Sequence, residues 1–169
     1  FTSIDDCVSG LYEKKVVKPN LVAGSNNTTY VASLGISFVE PVQGYISSRF
    51  GIRSRDNHKG IDIANSLGTP IAAAASGTYA RYNSGGYGNL VIIDHGNGVQ
   101  TYYGHNSKLY VSEGQKVSQG QLIGYSGNTG GVAPHLHFEI RKATSIGDFF
   151  GNNWKDPLDY LPGGYTIVD

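Results

Sequence analysis

The chain has 169 residues, of which thirteen are basic and thirteen acidic, and charged residues make up only 15%. That length suits one domain with a sizeable core, while a neutral, charge-poor chain offers no electrostatic footprint for nucleic acid and no basic amphipathic helix for a membrane surface. A single cysteine, Cys7, excludes an intrachain disulfide and a cysteine-based zinc site. The most apolar run, PIAAAA at 70–75, is far shorter than the ~18 residues of a transmembrane segment.

Glycine and tyrosine are abundant, at 24 and 12 residues, and methionine is absent, which favours short strands and turns over helices. The chain opens on Phe1, as expected of a processed product or a piece of a longer protein. Residues 1–40 mix charges without a clear period, and GSNNTT (24–29) is a turn or loop cluster. They read as an N-terminal arm or linker, a candidate for regulation. From residue 41 the pattern sharpens. GYISSRF (44–50) alternates toward a strand, GIRSRDNHKG (51–60) is a polar loop, and IDIAN (61–65) resumes a strand. Three apolar or aromatic runs follow, TPIAAAASGTYARYNS (69–84), NLVIIDHGN (89–97) and VQTYYGHN (99–106), each closed by Gly, Asn or Ser. EGQKVSQGQLIGYSGNTGG (113–131) carries turn signals every few residues, and HLHFEIRK (135–142) ends the series. This spacing predicts an all-β domain over 41–169, a compact antiparallel barrel or sandwich. DFFGNNWKDPLDYL (148–161) is its short helical or irregular C-terminal segment.

All five histidines, His58, His95, His105, His135 and His137, lie between residues 58 and 137. In an extended strand the two of HLH share a face. In HKGID (58–62) a turn at Gly60 can bring His58 and Asp62 onto one metal. Two imidazoles and a carboxylate suit a catalytic zinc site, which uses three protein ligands and keeps one position open. One HLH histidine would complete the set, and the other could act with His105 as a base or as a hydrogen-bond donor to a developing oxyanion. His95 reads as a turn residue. Tyr103, two before His105, is expected on the same strand face, lining a groove with Tyr102. Arg53 and Asn57 precede His58 in its loop and are expected to touch substrate, with loop anchoring as the alternative for Arg53. Glu139 falls on the His137 face, either behind that ligand or as a plain barrel residue.

VQGYISSRFGIR (42–53), HKGIDIA (58–64), VIIDHGNG (91–98), TYYGHNSKL (101–109), the segment 113–131 and PHLHFEIR (134–141) closely resemble the lysostaphin-type zinc endopeptidases, or LytM domains. The resemblance covers roughly residues 40–161. It implies an antiparallel β-barrel with an open groove, one zinc per chain held by His58, Asp62 and His137, and catalytic roles for His105 and His135. It further implies a monomer in the extracytoplasmic space of a bacterium, cutting cross-bridge or stem peptides of peptidoglycan with a metal-activated water. Some relatives lose zinc ligands and serve as scaffolds or activators of other wall hydrolases. A sugar-transport phosphocarrier has a similar barrel, but the H-x-H strand argues against that reading. One residue departs from the family pattern: Asn106 stands where an apolar residue, often Leu, is common. In the arm, Asn20, Asn26 or Asn27 could supply a ligand that blocks the groove. Zinc needs neutral imidazoles, so metal affinity and activity are expected to fall below about pH 6.

Overall fold

The computed structural model describes residues 28–53, 56–129, 133–143 and 153–168. Among these the chain alternates short strands with tight turns. Ahead of the first histidine come β1 (Thr29–Val31), β2 (Ile36–Phe38), β3 (Tyr45–Ser48), β4 (Gly51–Ile52) and β5 (Asn57–His58). The middle of the chain forms β6 (Ile61–Ala64), β7 (Pro70–Ala72), β8 (Gly77–Ser84), β9 (Gly88–Gly96), β10 (Val99–Gly104) and β11 (Asn106–Leu109). The last strands are β12 (Lys116–Val117), β13 (Leu122–Ser126), β14 (His135–Lys142) and β15 (Asn153–Lys155). Single 3₁₀ turns occupy Gly85–Tyr87 and Pro157–Asp159.

The named strands pair antiparallel, and one isolated bridge, Ile46 with Ile167, is parallel. The main sheet has the order β12-β8-β9-β10-β14-β6-β3, and β15 joins β14 beside β6. A second sheet, β11-β13-β7, and two small hairpins, β1-β2 and β4-β5, complete the layers. The architecture is nearly all-β, as expected, and it is sandwich-like; the barrel does not close. The C-terminal segment is part strand, part 3₁₀ turn.

Both faces of the central strands are covered, and every residue of β10 is buried. One face carries Tyr103, Leu136, Phe138 and Ile140 into the main core with Ile61, Ile63, Val91 and Ile93. The other carries Tyr102, which packs with Leu90 and Ile92 in a second, smaller cluster bordered by Tyr87. Burying these aliphatic and aromatic side chains supplies the main driving force for the fold, at about 1.5–3 kcal/mol for each large one. Residues 28–40 take part. Val31, Leu34 and Phe38 belong to the main core, and Val39 N–H donates to the Ala74 carbonyl at 2.9 Å. Residues 1–27 lie outside the described region.

The register of β14 fixes the site. His137 lies opposite Asp62 on β6 and opposite Gly104 on β10, and Glu139 lies opposite Tyr102. The residues between β5 and β6 make their turn against β14. A Cβ on Gly60 would sit 2.2 Å from the Phe138 carbonyl oxygen, so only glycine allows so close an approach.

Candidate metal centre and active-site groove

Strands β5, β6 and β14 bring three donor atoms together. His137 Nδ1 is 3.0 Å from Asp62 Oδ1, His58 Nε2 is 3.2 Å from the same oxygen, and the two ring nitrogens are 3.3 Å apart. Four ligands placed tetrahedrally at about 2.0–2.1 Å from zinc are separated by about 3.3–3.4 Å. The donor set and its spacing therefore fit three corners of such a site. Each imidazole also has its second nitrogen occupied. His58 Nδ1–H donates to the Arg49 carbonyl at 2.9 Å, which leaves Nε2 as the nitrogen that faces Asp62. His137 Nε2 is 2.7 Å from Glu139 Oε2, which leaves Nδ1 facing Asp62. Partners of this kind orient the ring and select the tautomer.

His135 and His105 stand beside this triangle with ring centroids 4.8 Å apart. His135 Nδ1–H donates to the Ala133 carbonyl at 2.7 Å, and its Nε2 lies 3.4 Å from Asp62 Oδ1. His105 Nδ1–H donates to the Thr129 carbonyl at 2.6 Å, and its Nε2 has no hydrogen-bond partner among the described residues. His105 adopts a left-handed backbone, φ 65°, rare for a non-glycine residue. It is held there by its own N–H, which donates to the Tyr87 carbonyl at 2.7 Å.

The electrostatics follow from burial and these contacts. Burial alone would raise the Asp62 carboxyl, but the hydrogen bonds from His135, His137 and His58 hold it well below the usual carboxylate range. Burial would lower His137, but Asp62 and Glu139 outweigh it and push the imidazole up to about 9 in the absence of metal. His105 is shifted down, first by burial, against the hydrogen bond to Thr129. Glu139 would be raised by burial, yet His137, Arg141 and Tyr87 hold it below its ordinary value.

The groove around these groups has a volume of about 680 Å³, and Arg53, Asn57, Lys59 and Tyr87 are among its lining residues. An adjoining hollow of about 660 Å³, lined by uncharged residues such as Gln43, Asn65 and Thr69, meets it at His135. Asn57 thus borders the groove as expected. Arg53 borders it too, but its guanidinium is engaged, paired with Asp56, donating to Ser48 Oγ at 2.8 Å and lying 3.5 Å from Asp62 Oδ2.

Tyr103 is a correction. It is fully buried on the core face, with its ring centroid 5.3 Å from that of Phe138 and its hydroxyl accepting from Ala74 N–H at 2.9 Å. Strand alternation stops at Gly104, and the left-handed turn at His105 sends that side chain to the opposite face from Tyr103. Tyr102 lies on the site face, buried beneath the Arg141 guanidinium at 3.8 Å. His95 is remote from the groove and bonds Ser76 and Thr101. Cys7, Asn20, Asn26 and Asn27 lie outside the described residues.

Sequence reasoning missed Tyr87 and Trp154. Tyr87 stands in the NSGGYG loop, its ring 5.5 Å from that of His137. Trp154 reaches Glu139 from β15 at 3.2 Å. Neither carries a local motif. The glycines around Tyr87 signal a turn, but nothing in the sequence singles out the tyrosine itself.

The sequence profile of peptidase family M23 matches residues 56–149, the span that holds all five groove residues His58, Asp62, His105, His135 and His137. The chain belongs to peptidase family M23. Murein hydrolase activator NlpD of Escherichia coli is 42% identical over 125 residues, 72% of this chain and 30% of that protein. Peptidoglycan DD-endopeptidase ShyA of Vibrio cholerae is 49% identical over 85 residues, 49% of this chain and 20% of that protein. The chain therefore matches less than a third of either relative's length. Among solved structures, the antimicrobial peptidase lysostaphin of Staphylococcus simulans superposes with a TM-score of 0.61 at 31% identity, covering 72% of this chain and 52% of that one.

Proposed function

We propose that this M23 chain is a zinc-dependent metalloendopeptidase that hydrolyses peptide bonds in the cross-bridges or stem peptides of bacterial peptidoglycan. The observation that carries this reading is completeness: three convergent ligand atoms and two further imidazoles share one open groove. His58, Asp62 and His137 hold one zinc ion. When bound, zinc supplies Lewis acidity, acidifying a water and polarising the carbonyl of the scissile amide. Burial lowers His105 and so favours its neutral form, whose Nε2 can take up a proton from the attacking water. His135, fixed by the strand that bears His137, presents Nε2 beside the donor triangle, where it can donate to the developing oxyanion or the leaving amine. Asn57 and Arg53 border the path of the substrate peptide, Arg53 mainly by shaping the loop. Residues 41–169 carry the groove, and residues 1–40 precede it as an arm that includes the docked β1-β2 hairpin. The chain acts as a monomer in the extracytoplasmic space.

The second reading, an activator of other wall hydrolases, is favoured by the name of the E. coli relative. Digestion of purified peptidoglycan, with mass spectrometry of the released fragments, separates the two. Wild type should release fragments whose masses name the bond, and both His135→Ala and chelator treatment should abolish release. No release from zinc-loaded protein, before and after removal of residues 1–27, would shift the assignment to the activator.

A further inference from the structure

Behind His137, on the side away from Asp62, lies a fully buried carboxylate with a donor on every face. Glu139 Oε2 accepts from Tyr87 O–H at 2.6 Å and from His137 Nε2–H at 2.7 Å. Glu139 Oε1 accepts from Arg141 Nε at 2.7 Å and from Trp154 Nε1–H at 3.2 Å. The Tyr87 hydroxyl itself accepts from Arg141 Nη2 at 3.0 Å, so its own proton is directed at Glu139. An arginine and an indole can only donate. A carboxylate surrounded in this way has no proton to offer, so the hydrogen between Glu139 and His137 belongs to His137 Nε2. In the neutral ring, the form that binds a metal, the lone pair is thereby placed on Nδ1, the atom that faces Asp62 and His58. The arrangement is braced from above, where the Arg141 guanidinium lies 3.8 Å from the Tyr102 ring centroid and 4.8 Å from that of Trp154. Trp154 belongs to β15, which pairs with Ile140–Lys142 and lies beyond the residues matched by the family profile.

We propose that Glu139, with Tyr87, Arg141 and Trp154, is a positioning cluster that presents His137 to the metal through Nδ1, and that β15 is thereby a working part of the metal centre. The inference rests on the zinc reading above. A purely structural Glu139–Arg141 ion pair would hold the sheet together without regard to His137. In Glu139→Gln the amide can turn its oxygen toward Arg141 or toward His137, not both. With oxygen on Arg141, its NH₂ group faces His137 Nε2 and favours the tautomer that carries hydrogen on Nδ1, the wrong nitrogen for the metal.

The test is zinc affinity, measured on the full chain by competition with a chromophoric chelator, for wild type, Glu139→Gln, Trp154→Phe and Tyr87→Phe. Glu139→Gln should weaken zinc binding by about 10–100-fold, the usual effect of removing such a partner. Trp154→Phe keeps the aromatic stack and should weaken it by about two- to tenfold, the effect of one hydrogen bond. Long-range ¹H–¹⁵N spectra of the zinc-loaded wild type should show His137 protonated at Nε2. Metal attachment at Nε2, or an unchanged affinity in Glu139→Gln, overturns the proposal. Should Glu139→Gln fail to fold, unchanged affinity in both Trp154→Phe and Tyr87→Phe overturns it. Wild type that takes up no zinc removes the zinc reading and this inference together, whereas tight zinc in wild type and all variants removes the inference alone.

Discussion

Gly60 sits between His58 and Asp62 and has no room for a side chain. A Cβ there would lie 2.2 Å from the Phe138 carbonyl oxygen and 2.8 Å from Glu139 Cγ. The first of these is backbone, so no rotamer change relieves it. Gly60→Ala should therefore push β6 away from β14, costing about 1–3 kcal/mol as overpacking does and spreading the three ligand atoms. Urea unfolding and zinc content of the purified variant check both halves; a stable variant with full zinc would show that the turn has slack. Asn106 is the second informative residue. It is fully buried, and its amide donates to the carbonyls of Tyr103 at 2.8 Å and Asn89 at 3.0 Å, while Asn89 Nδ2 donates back to the Asn106 carbonyl at 3.0 Å. The departure from the family's apolar residue is thus a polar clamp on the turn that bears His105. Its Oδ1 has no hydrogen-bond partner among the described residues. Asn106→Leu removes that unsatisfied oxygen but strips two carbonyls of a donor, so a net loss of about 1–2 kcal/mol is expected in the same measurement. At this scale the ligands were legible because residue type and spacing reflect coordination chemistry directly. Tyr87, Trp154 and the clamp were not, because each acts through a partner 15 or more positions away.

Alternation decides what each strand offers to the site, and β10 shows how far it can be read. Thr101 and Tyr103 share the core face, with Thr101 Oγ1 2.6 Å from the Tyr103 hydroxyl, and the chain of bonds continues to His95 Nε2 at 2.8 Å. His95 Nδ1–H donates to the Ser76 carbonyl at 2.7 Å, and Ala74 N–H donates to Tyr103. Every donor in this row is therefore directed one way: Tyr103 to Thr101, Thr101 to His95, His95 to Ser76. Protonating His95 would make Nε2 a donor and leave one hydroxyl proton of the row, that of Thr101 or that of Tyr103, without its acceptor. Burial pushes His95 below its ordinary value, against the Ser76 hydrogen bond and the charge of Asp94. A group lowered in the folded state contributes its stability above the unfolded pKa, about 6.5, and loses it as pH falls. The stability gap between wild type and His95→Gln should thus be widest at pH 7 and above and narrow as pH falls below about 6.5. Chemical denaturation at four pH values measures it, and a gap independent of pH would exclude the relay. The short strands, the H-x-H face and the glycine-rich loops were all readable from period and turn chemistry. Tyr103 was misplaced because the period was carried through Gly104 and a left-handed His105, where strand geometry has already ended.

At the scale of the molecule, the site joins segments that the sheet order alone would leave independent. His58 comes from the small β4-β5 hairpin, Asp62 and His137 from neighbouring strands of the main sheet, and Glu139 ties the last of these to β15. The all-β class followed from composition and turn spacing, but the part played by residues 28–40 did not. Val31, Leu34 and Phe38 show no clean period in sequence, and their place in the core depends on contacts across the whole sandwich. Three imidazoles crowd one largely buried carboxylate, held by packing and by their hydrogen bonds to Arg49, Ala133 and Glu139. A ligand that binds only the folded state stabilises it by RT ln(1 + [L]/Kd), about 2.7 kcal/mol at one hundred times Kd. For a chain of this size that corresponds to about 5–11 °C in Tm. Zinc-loaded wild type should therefore melt about 5–11 °C above the chelated protein at that loading. His58→Ala, which removes one ligand from the hairpin, should melt at nearly the same temperature with and without chelator. The comparison is a calorimetric scan of four samples. If chelation shifts both proteins equally, zinc is acting elsewhere on the surface; if it shifts neither, the triangle of donors does not bind zinc at the concentration used. A shift confined to wild type ties the β4-β5 hairpin to the main sheet through the metal, in addition to the bonds that Arg53 and His58 already make to Ser48, Arg49 and Asp62.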